Sequence, residues 1–311
     1  MKKVLITDGV HDLLVEGLKN AGFVLDYFPD IKLDEVKRII HDYCAIVINT
    51  KTVMDKDMID RADKLKLIVR LGSGLDIIDL EYAKKKNIVV RNTPEGNRNA
   101  VAEHALGLLL SLFNNIVASN VELKNMQWNR EKNRGIELDG KTIGIIGFGN
   151  TGSQFAKKLS GFDVKILAFD KYKQRFADNL RYVEETTIDL ILKESDIISL
   201  HVPLTKETLY FFNSDFIAKM KKEFYLINTS RGKVVNTKDL LEGLKAGKIK
   251  GAVLDVLENE KINSFSDREL KEYKDLNSMQ NVLITPHIAG WTKESKIKIS
   301  ELVLKNILNF C

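Results

Sequence analysis

Residues 142–170, TIGIIGFGNTGSQFAKKLSGFDVKILAFD, constrain the fold more than any other stretch of the chain. An apolar run over 143–146, short enough for a buried strand, leads into a G-x-G-x-x-G pattern formed by Gly147, Gly149 and Gly152. The amphipathic residues 153–159 predict a helix, which Gly161 is placed to end as a C-cap. A second apolar run, 164–169, finishes on Asp170, 18 residues beyond the last glycine. Each glycine has its own mechanical task. Gly147 makes the tight turn, Gly149 lets main chain approach a pyrophosphate, and Gly152 lets helix pack closely on strand. The helix start then offers free N–H groups and a partial positive charge to a phosphate. An ordinary βα turn shares the glycines but not the whole series of strand, triplet, helix, strand and acid. Asp170 stands near the distance at which an acid meets the ribose hydroxyls of a dinucleotide. Its charge opposes a 2′-phosphate and so favours NAD, although Lys171 and Lys173 beside it suit a phosphate.

With 311 residues, 44% of them hydrophobic, the chain can bury a large core and is long enough for two domains. Charged residues make up 29%, yet the net charge is only +5, with Lys and Glu interspersed along helical stretches. That is a solvated surface and not the clustered basic footprint of a nucleic-acid binder. Cys44 in an apolar run and Cys311 at the terminus cannot build a disulfide framework. The apolar run behind Met1-Lys2-Lys3 is cut short by Asp8, His11 and Asp12, unlike a secretion signal. No run approaches the ~20 apolar residues of a membrane span. A cytoplasmic protein with no membrane or nucleic-acid partner is the expectation.

From residue 3 to 90, apolar runs at 4–6, 23–27, 45–48, 67–71 and 88–90 alternate with stretches of helical period. This implies βαβ units and a parallel sheet. The unit precedes the dinucleotide fingerprint, so it is expected to supply something other than the nucleotide. Residues 71–76, LGSGLD, suit a carboxylate held by successive N–H groups, or equally a plain glycine-rich turn. Residues 91–97, RNTPEGN, read as a connection and hinge, after which apolar spacing over 100–125 predicts one long helix, with His104 packed inside it. Residues 128–134 read as a loop or arm. Further strands are expected at 197–200, 224–227, 252–254 and 282–284, with a helix over 237–246 closed by Gly247. The charged stretch 262–277 fits a surface loop or a short helix, and 293–310 fits a helix returning to the first unit.

Ligands of open α/β sheets bind outside the carboxyl ends of strands. His201-Val202-Pro203, residues 228–232, Asp255 and Thr285-Pro286-His287 follow expected strands, and Glu260 lies five residues beyond Asp255. A histidine, a carboxylate and an arginine converging on a dinucleotide crevice are the minimum apparatus for reducing a keto acid. Hydride goes to the carbonyl carbon while a proton goes to its oxygen. Histidine suits the proton because it titrates near neutrality. Arginine supplies a planar, permanently charged fork for a substrate carboxylate. Singly, His287, Glu260 and Arg231 read equally as a structural histidine, a surface acid and a solvated charge. Their conjunction carries the chemistry, and no metal is expected.

At these residues the chain resembles the NAD-dependent D-2-hydroxyacid dehydrogenases over nearly its whole length. LGSGLDIIDL, NTPEGNRNAVAEHALGLLL, KTIGIIGFGNTG, HVPLT, INTSRGKVVNTKDLLEGLKAGKIKGAVLDVLENE and NVLITPHIAGWT stand in the family's order. The resemblance implies an α/β fold: a Rossmann-type doubly wound parallel sheet over 98–287, inserted in a flavodoxin-like α/β substrate domain of residues 1–97 and 288–311. It implies His287 as acid/base, Glu260 as its orienting partner, and Arg231 for carboxylate binding and carbonyl polarisation. Ser73 and Gly74 would offer N–H groups to the substrate carboxylate, with Arg70 and Lys51 as further substrate contacts. For NAD it implies Gly147, Gly149, Gly152, Asn150 and Thr151 at the pyrophosphate and Asp170 on the adenosine ribose. Val202, Pro203, Thr229, Ser230, Arg231, Asp255, His287 and Gly290 would line the crevice, Asp255 near the nicotinamide carboxamide. A homodimer through the long helix and arm beginning near Asn99 is also implied.

The chain departs from the family pattern in places. Lys261 follows Glu260 where proline is common, and Glu258 is a second carboxylate nearby, so Glu260 is chosen by its spacing from Asp255. Ile77 stands where asparagine is usual. Val69-Arg70 and NTPEGN look most like D-3-phosphoglycerate dehydrogenases, whereas residues 49–52, NTKT, replace an arginine-rich turn and leave Lys51 as a point charge. No regulatory C-terminal domain follows, so serine feedback is not expected. The expected function is NAD-dependent interconversion of a D-2-hydroxy acid and its 2-oxo acid, with D-3-phosphoglycerate as the leading substrate. Glyoxylate, hydroxypyruvate and D-lactate are alternatives, and a non-catalytic NAD-sensing scaffold of the corepressor kind is the competing class.

Overall fold

A computed structural model describes residues 2–310 in two compact units, the chain up to Arg98 together with the stretch from Trp291, and Asn99–Gly290. The first unit carries a parallel sheet of β1 (Lys3–Ile6), β2 (Val24–Tyr27), β3 (Ala45–Ile48), β4 (Leu67–Arg70) and β5 (Val89–Asn92). Its order, β2-β1-β3-β4-β5, is the flavodoxin-like doubly wound one. The central strands are nearly all buried and the edge strands β2 and β5 half-exposed, which is why the central ones read as unbroken apolar runs. One face is covered by the helices Asp12–Asn20 and Lys293–Phe310, the latter burying Val303 and Ile307 among Val4, Ile6 and Leu14. Cys44 is a free thiol beside this layer, and Cys311 lies outside the described residues.

The second unit holds seven parallel strands: β6 (Thr142–Ile146), β7 (Lys165–Phe169), β8 (Glu184–Glu185), β9 (Ile197–Leu200), β10 (Phe224–Asn228), β11 (Ile249–Leu254) and β12 (Val282–Ile284). They run in the order β12-β11-β10-β9-β6-β7-β8, so the winding reverses between β6 and β9. That is the Rossmann arrangement, and its ligand crevice opens outside the carboxyl ends at the reversal. Phe212, Phe224 and Leu240 fill one apolar layer, while Leu109, Phe113 and Phe155 fill another.

Some elements differ from the sequence expectation. The helix after the glycine triplet is Asn150–Leu159, starting within the triplet; Gly161 is not left-handed, and Asp163 (φ 52°) is. Residues 91–97 are not a free connection. Arg91 and Asn92 finish β5, and Pro94 opens the helix Pro94–Phe113, where proline's fixed φ and missing N–H fit the first turn. The long helix is broken at Asn115 (φ 51°) and resumes as Ile116–Lys124 at a bend of 61°. Asparagine tolerates the left-handed region better than most residues. No single helix among the described residues is long and apolar enough to cross a membrane. Most of the charged 262–277 stretch belongs to the helix Asp267–Ser278, started by a Ser266–Glu269 capping box. The second unit extends past His287 to Gly290 because Ile288 and Ala289 donate their N–H groups to Asp255.

Candidate active site

Gly147 closes β6 with φ 92°, and a Cβ there would strike the carbonyl of His201 at the end of β9. Only glycine lets the two strand ends meet so closely at the switch point. Val202 packs against the same glycine, and the Pro203 carbonyl accepts from the Thr208 hydroxyl at 2.6 Å. Gly152 is buried in the first turn of the helix, against the Gly147 carbonyl. Around Gly149, by contrast, the space a side chain would fill holds no atom of the described residues within 4 Å. Gly149 is also the N-cap and has no side chain to cap with, so the first-turn N–H groups of Asn150 and Thr151 lie uncapped beside that space. An open cradle at a helix N-terminus fits a pyrophosphate.

Asp170 ends β7. Its Oδ2 accepts the Phe148 N–H at 2.9 Å and its Oδ1 accepts those of Tyr172 and Lys173 at 3.0 and 3.2 Å. The carboxylate thus braces the glycine loop with part of its acceptor capacity and keeps lone pairs for ribose hydroxyls. The two neighbouring lysines are engaged on protein acceptors. Lys173 Nζ donates to the Phe148 carbonyl at 2.9 Å, and Lys171 pairs with Glu207 at 2.8 Å. Beneath the loop, His201 is buried with Nε2 2.8 Å from Ser199 Oγ, and burial pushes its pKa down to about 4.

β10, β11 and β12 are neighbours, and their carboxyl ends carry the remaining candidates. After β10, Ser230 donates its N–H and hydroxyl to Asn228 Oδ1 at 3.1 and 2.7 Å, and Arg231 Nη1 donates to the Ser230 carbonyl at 2.7 Å. A Cβ on Gly232 would overlap the Leu257 carbonyl, so this turn is pressed onto the segment that leads from Asp255 to Glu260. The Thr229 hydroxyl is buried without a hydrogen-bond partner among the described residues, a polar group that a bound ligand would satisfy.

His287 follows β12 in the left-handed region, φ 56°. Its N–H donates to the carbonyls of Asp255 (2.8 Å) and Thr285 (3.0 Å), and the next two N–H groups donate to Asp255 Oδ1 (2.9 Å) and Oδ2 (2.8 Å). Asp255 therefore holds three consecutive amides of the turn. Burial acts to raise its carboxyl's pKa, but hydrogen bonds from His104, Thr285, Ala289 and Ile288 outweigh it and leave the pKa below the ordinary carboxylate value. The imidazole Nδ1 lies 2.9 Å from Glu260 Oε2. Glu258 is committed elsewhere, accepting the Thr237 N–H at 2.6 Å and the Tyr210 hydroxyl at 3.0 Å. Of the two acids, only Glu260 reaches the histidine. Gly290, just past Ala289, ends the unit.

In the first unit, Gly72 (φ 113°) donates its N–H to Thr93 Oγ1 at 2.8 Å, and Asn92 Nδ2 donates to the Ser73 carbonyl at 2.7 Å. The Arg70 guanidinium donates to the Leu71 carbonyl. The loop is thereby fixed from beneath, and the N–H groups of Ser73 and Gly74 have no partner among the described residues. Lys51 Nζ donates to the Pro29 carbonyl.

A family model for the NAD-binding domain of D-isomer specific 2-hydroxyacid dehydrogenases matches residues 106–289. The chain belongs to this family. Over 276 residues it is 40% identical to a hydroxypyruvate reductase of Thermotoga maritima, covering 88% of this chain and 87% of the relative. A D-3-phosphoglycerate dehydrogenase of Archaeoglobus fulgidus is 34% identical over 307 residues, which make up 99% of this chain and 57% of the relative. The chain thus spans little more than half the length of the phosphoglycerate dehydrogenases it matches. A solved D-lactate dehydrogenase of Aquifex aeolicus, complexed with NAD and lactic acid, shares the fold at a TM-score of 0.87 and 32% identity, over 99% of this chain and 95% of that one. Sequence reasoning placed Thr285 at a strand end without giving it a role and read His104 as a packed residue; both contact Asp255 in this member of the dehydrogenase family. Thr285 follows β12 directly and was signalled by that place, whereas nothing in the local pattern distinguished His104 from a packed helix residue.

Proposed function

We propose that the protein interconverts a D-2-hydroxy acid and its 2-oxo acid with NAD(H). The observation that carries this reading is the His287–Glu260 pair, 2.9 Å apart, at the carboxyl ends of a Rossmann sheet. Bound in the crevice, NAD(H) supplies or takes up the hydride. His287 delivers the proton to the carbonyl oxygen in reduction and removes it in oxidation, and Glu260 keeps the ring turned the right way. Arg231 grips the substrate carboxylate and polarises the neighbouring carbonyl. In the first unit, the N–H groups of Ser73 and Gly74 are donors suited to a carboxylate. Gly147, Gly149, Asn150, Thr151 and Gly152 receive the pyrophosphate, Asp170 the ribose. Val202, Pro203, Thr229, Ser230 and Gly290 wall the crevice.

D-3-phosphoglycerate is one substrate this reading admits. A second reading, a small unphosphorylated acid such as hydroxypyruvate or glyoxylate, is favoured by one observation: the hydroxypyruvate reductase that is 40% identical is matched over 87% of its length, the phosphoglycerate dehydrogenase over 57%. The test is NADH oxidation with phosphohydroxypyruvate, hydroxypyruvate, glyoxylate and pyruvate in parallel. Turnover on at least one is expected. Inactivity on all four would favour the NAD-sensing scaffold.

The quaternary state we propose is a homodimer through the arm. Ile116, Val117, Val121 and Leu123 are each about half exposed, Met126 94% and Trp128 77%. A second copy is the partner that fits so large an apolar face.

A further inference from the structure

His104 sits on the helix Pro94–Phe113 with its side chain 22% exposed, and its Nε2 is 3.0 Å from Thr285 Oγ1 and 3.5 Å from Asp255 Oδ1. The Thr285 hydroxyl donates its own proton to Asp255 Oδ1 at 2.6 Å, so towards the ring it can only accept. Nε2 is therefore the nitrogen that carries hydrogen. Behind this contact stands the clamp on His287, in which Asp255 receives the N–H groups of residues 287, 288 and 289 through its carbonyl, Oδ1 and Oδ2. The clamp has a strained conformation to hold, since His287 lies at φ 56°, where residues bearing a Cβ are uncommon.

We propose that His104 is a positioning residue for the proposed reaction. By donating to the Thr285 hydroxyl, which donates on to Asp255 Oδ1, it keeps the Asp255 carboxylate aimed at the His287 turn, and so fixes the direction in which the His287 imidazole is presented. It touches no reacting atom. If it merely filled the helix face, leucine would replace it; if it acts through its N–H, glutamine would and leucine would not. The inference rests on the dehydrogenase reading for its kinetic consequence but not for its structural one.

The experiment compares wild type, His104→Leu and His104→Gln in two measurements. In the cofactor-free protein, amide hydrogen exchange at Ile288 and Ala289 is expected to speed up roughly tenfold or more in His104→Leu, with β6 and β9 unchanged and His104→Gln close to wild type. In turnover, His104→Leu is expected to lose roughly 10–100-fold in kcat and to shift the pH–rate profile. NADH affinity measured by fluorescence stays within about threefold, and His104→Gln recovers most of kcat. Unchanged exchange in His104→Leu, equal acceleration in β6 and β9, or a glutamine variant as loose as the leucine one would overturn the inference. If wild type turns over no 2-oxo acid, the functional reading fails, and the exchange measurement still decides the role of His104.

Discussion

The neutral His201 under the glycine loop makes folding sensitive to acid. Its pKa falls from 6.5 to about 4 because burial disfavours the charged ring. Above pH ~6.5 neither the folded nor the unfolded chain binds a proton there, and the group adds no pH dependence. As pH drops towards ~4, the unfolded chain takes up a proton that the folded chain refuses, so stability falls by up to about 3 kcal/mol. The urea unfolding free energy at pH 5 is expected to lie well below that at pH 7, and His201→Gln is expected to narrow the gap. An unchanged gap would place the acid sensitivity elsewhere. At this scale His287 was legible as a residue that follows a strand, and Glu260 only through the family resemblance and its spacing from Asp255. The engagement of Asp255 was not, because the side chains meeting it come from positions as far apart as 104 and 285. Such contacts leave no trace in local spacing.

Elements were legible wherever burial was either complete along a strand or confined to one stripe of a helix. The central strands announced themselves as apolar runs, and the C-terminal helix as a stripe. The start of the helix at Pro94 was hidden, since glycine and proline in NTPEGN also mark a connection. Packing explains why the glycine is there: a Cβ on Gly96 would come 2.6 Å from Ile299 Cγ1 and 3.1 Å from the Ile299 Cα and N, in the helix Lys293–Phe310. Two effects oppose each other in Gly96→Ala. Helix propensity favours alanine by about 1 kcal/mol, while forcing two backbones apart costs roughly 1–3 kcal/mol. Because main-chain atoms cannot swing aside, overpacking is expected to prevail, and urea denaturation should show a net loss of stability. A gain would mean that the two helices separate freely.

For the molecule as a whole, the apolar arm and the strand-end site make separate demands. Val117→Glu with Val121→Glu places charge on the exposed apolar face, and light scattering is expected to show a monomer where wild type shows a dimer. A monomeric wild type would remove the arm from any role in assembly. In the proposed reaction the proton transfer rests instead on the His287–Glu260 pair, and general acid–base transfer is worth roughly 10²–10⁴-fold in rate. The most direct measurement is NADH oxidation by His287→Ala, with the best 2-oxo acid from the panel, alongside NADH binding by fluorescence. A loss of roughly 10²–10⁴-fold in kcat with cofactor affinity retained is the expected result. Turnover equal to wild type would contradict the proton-transfer role on which the proposed function stands.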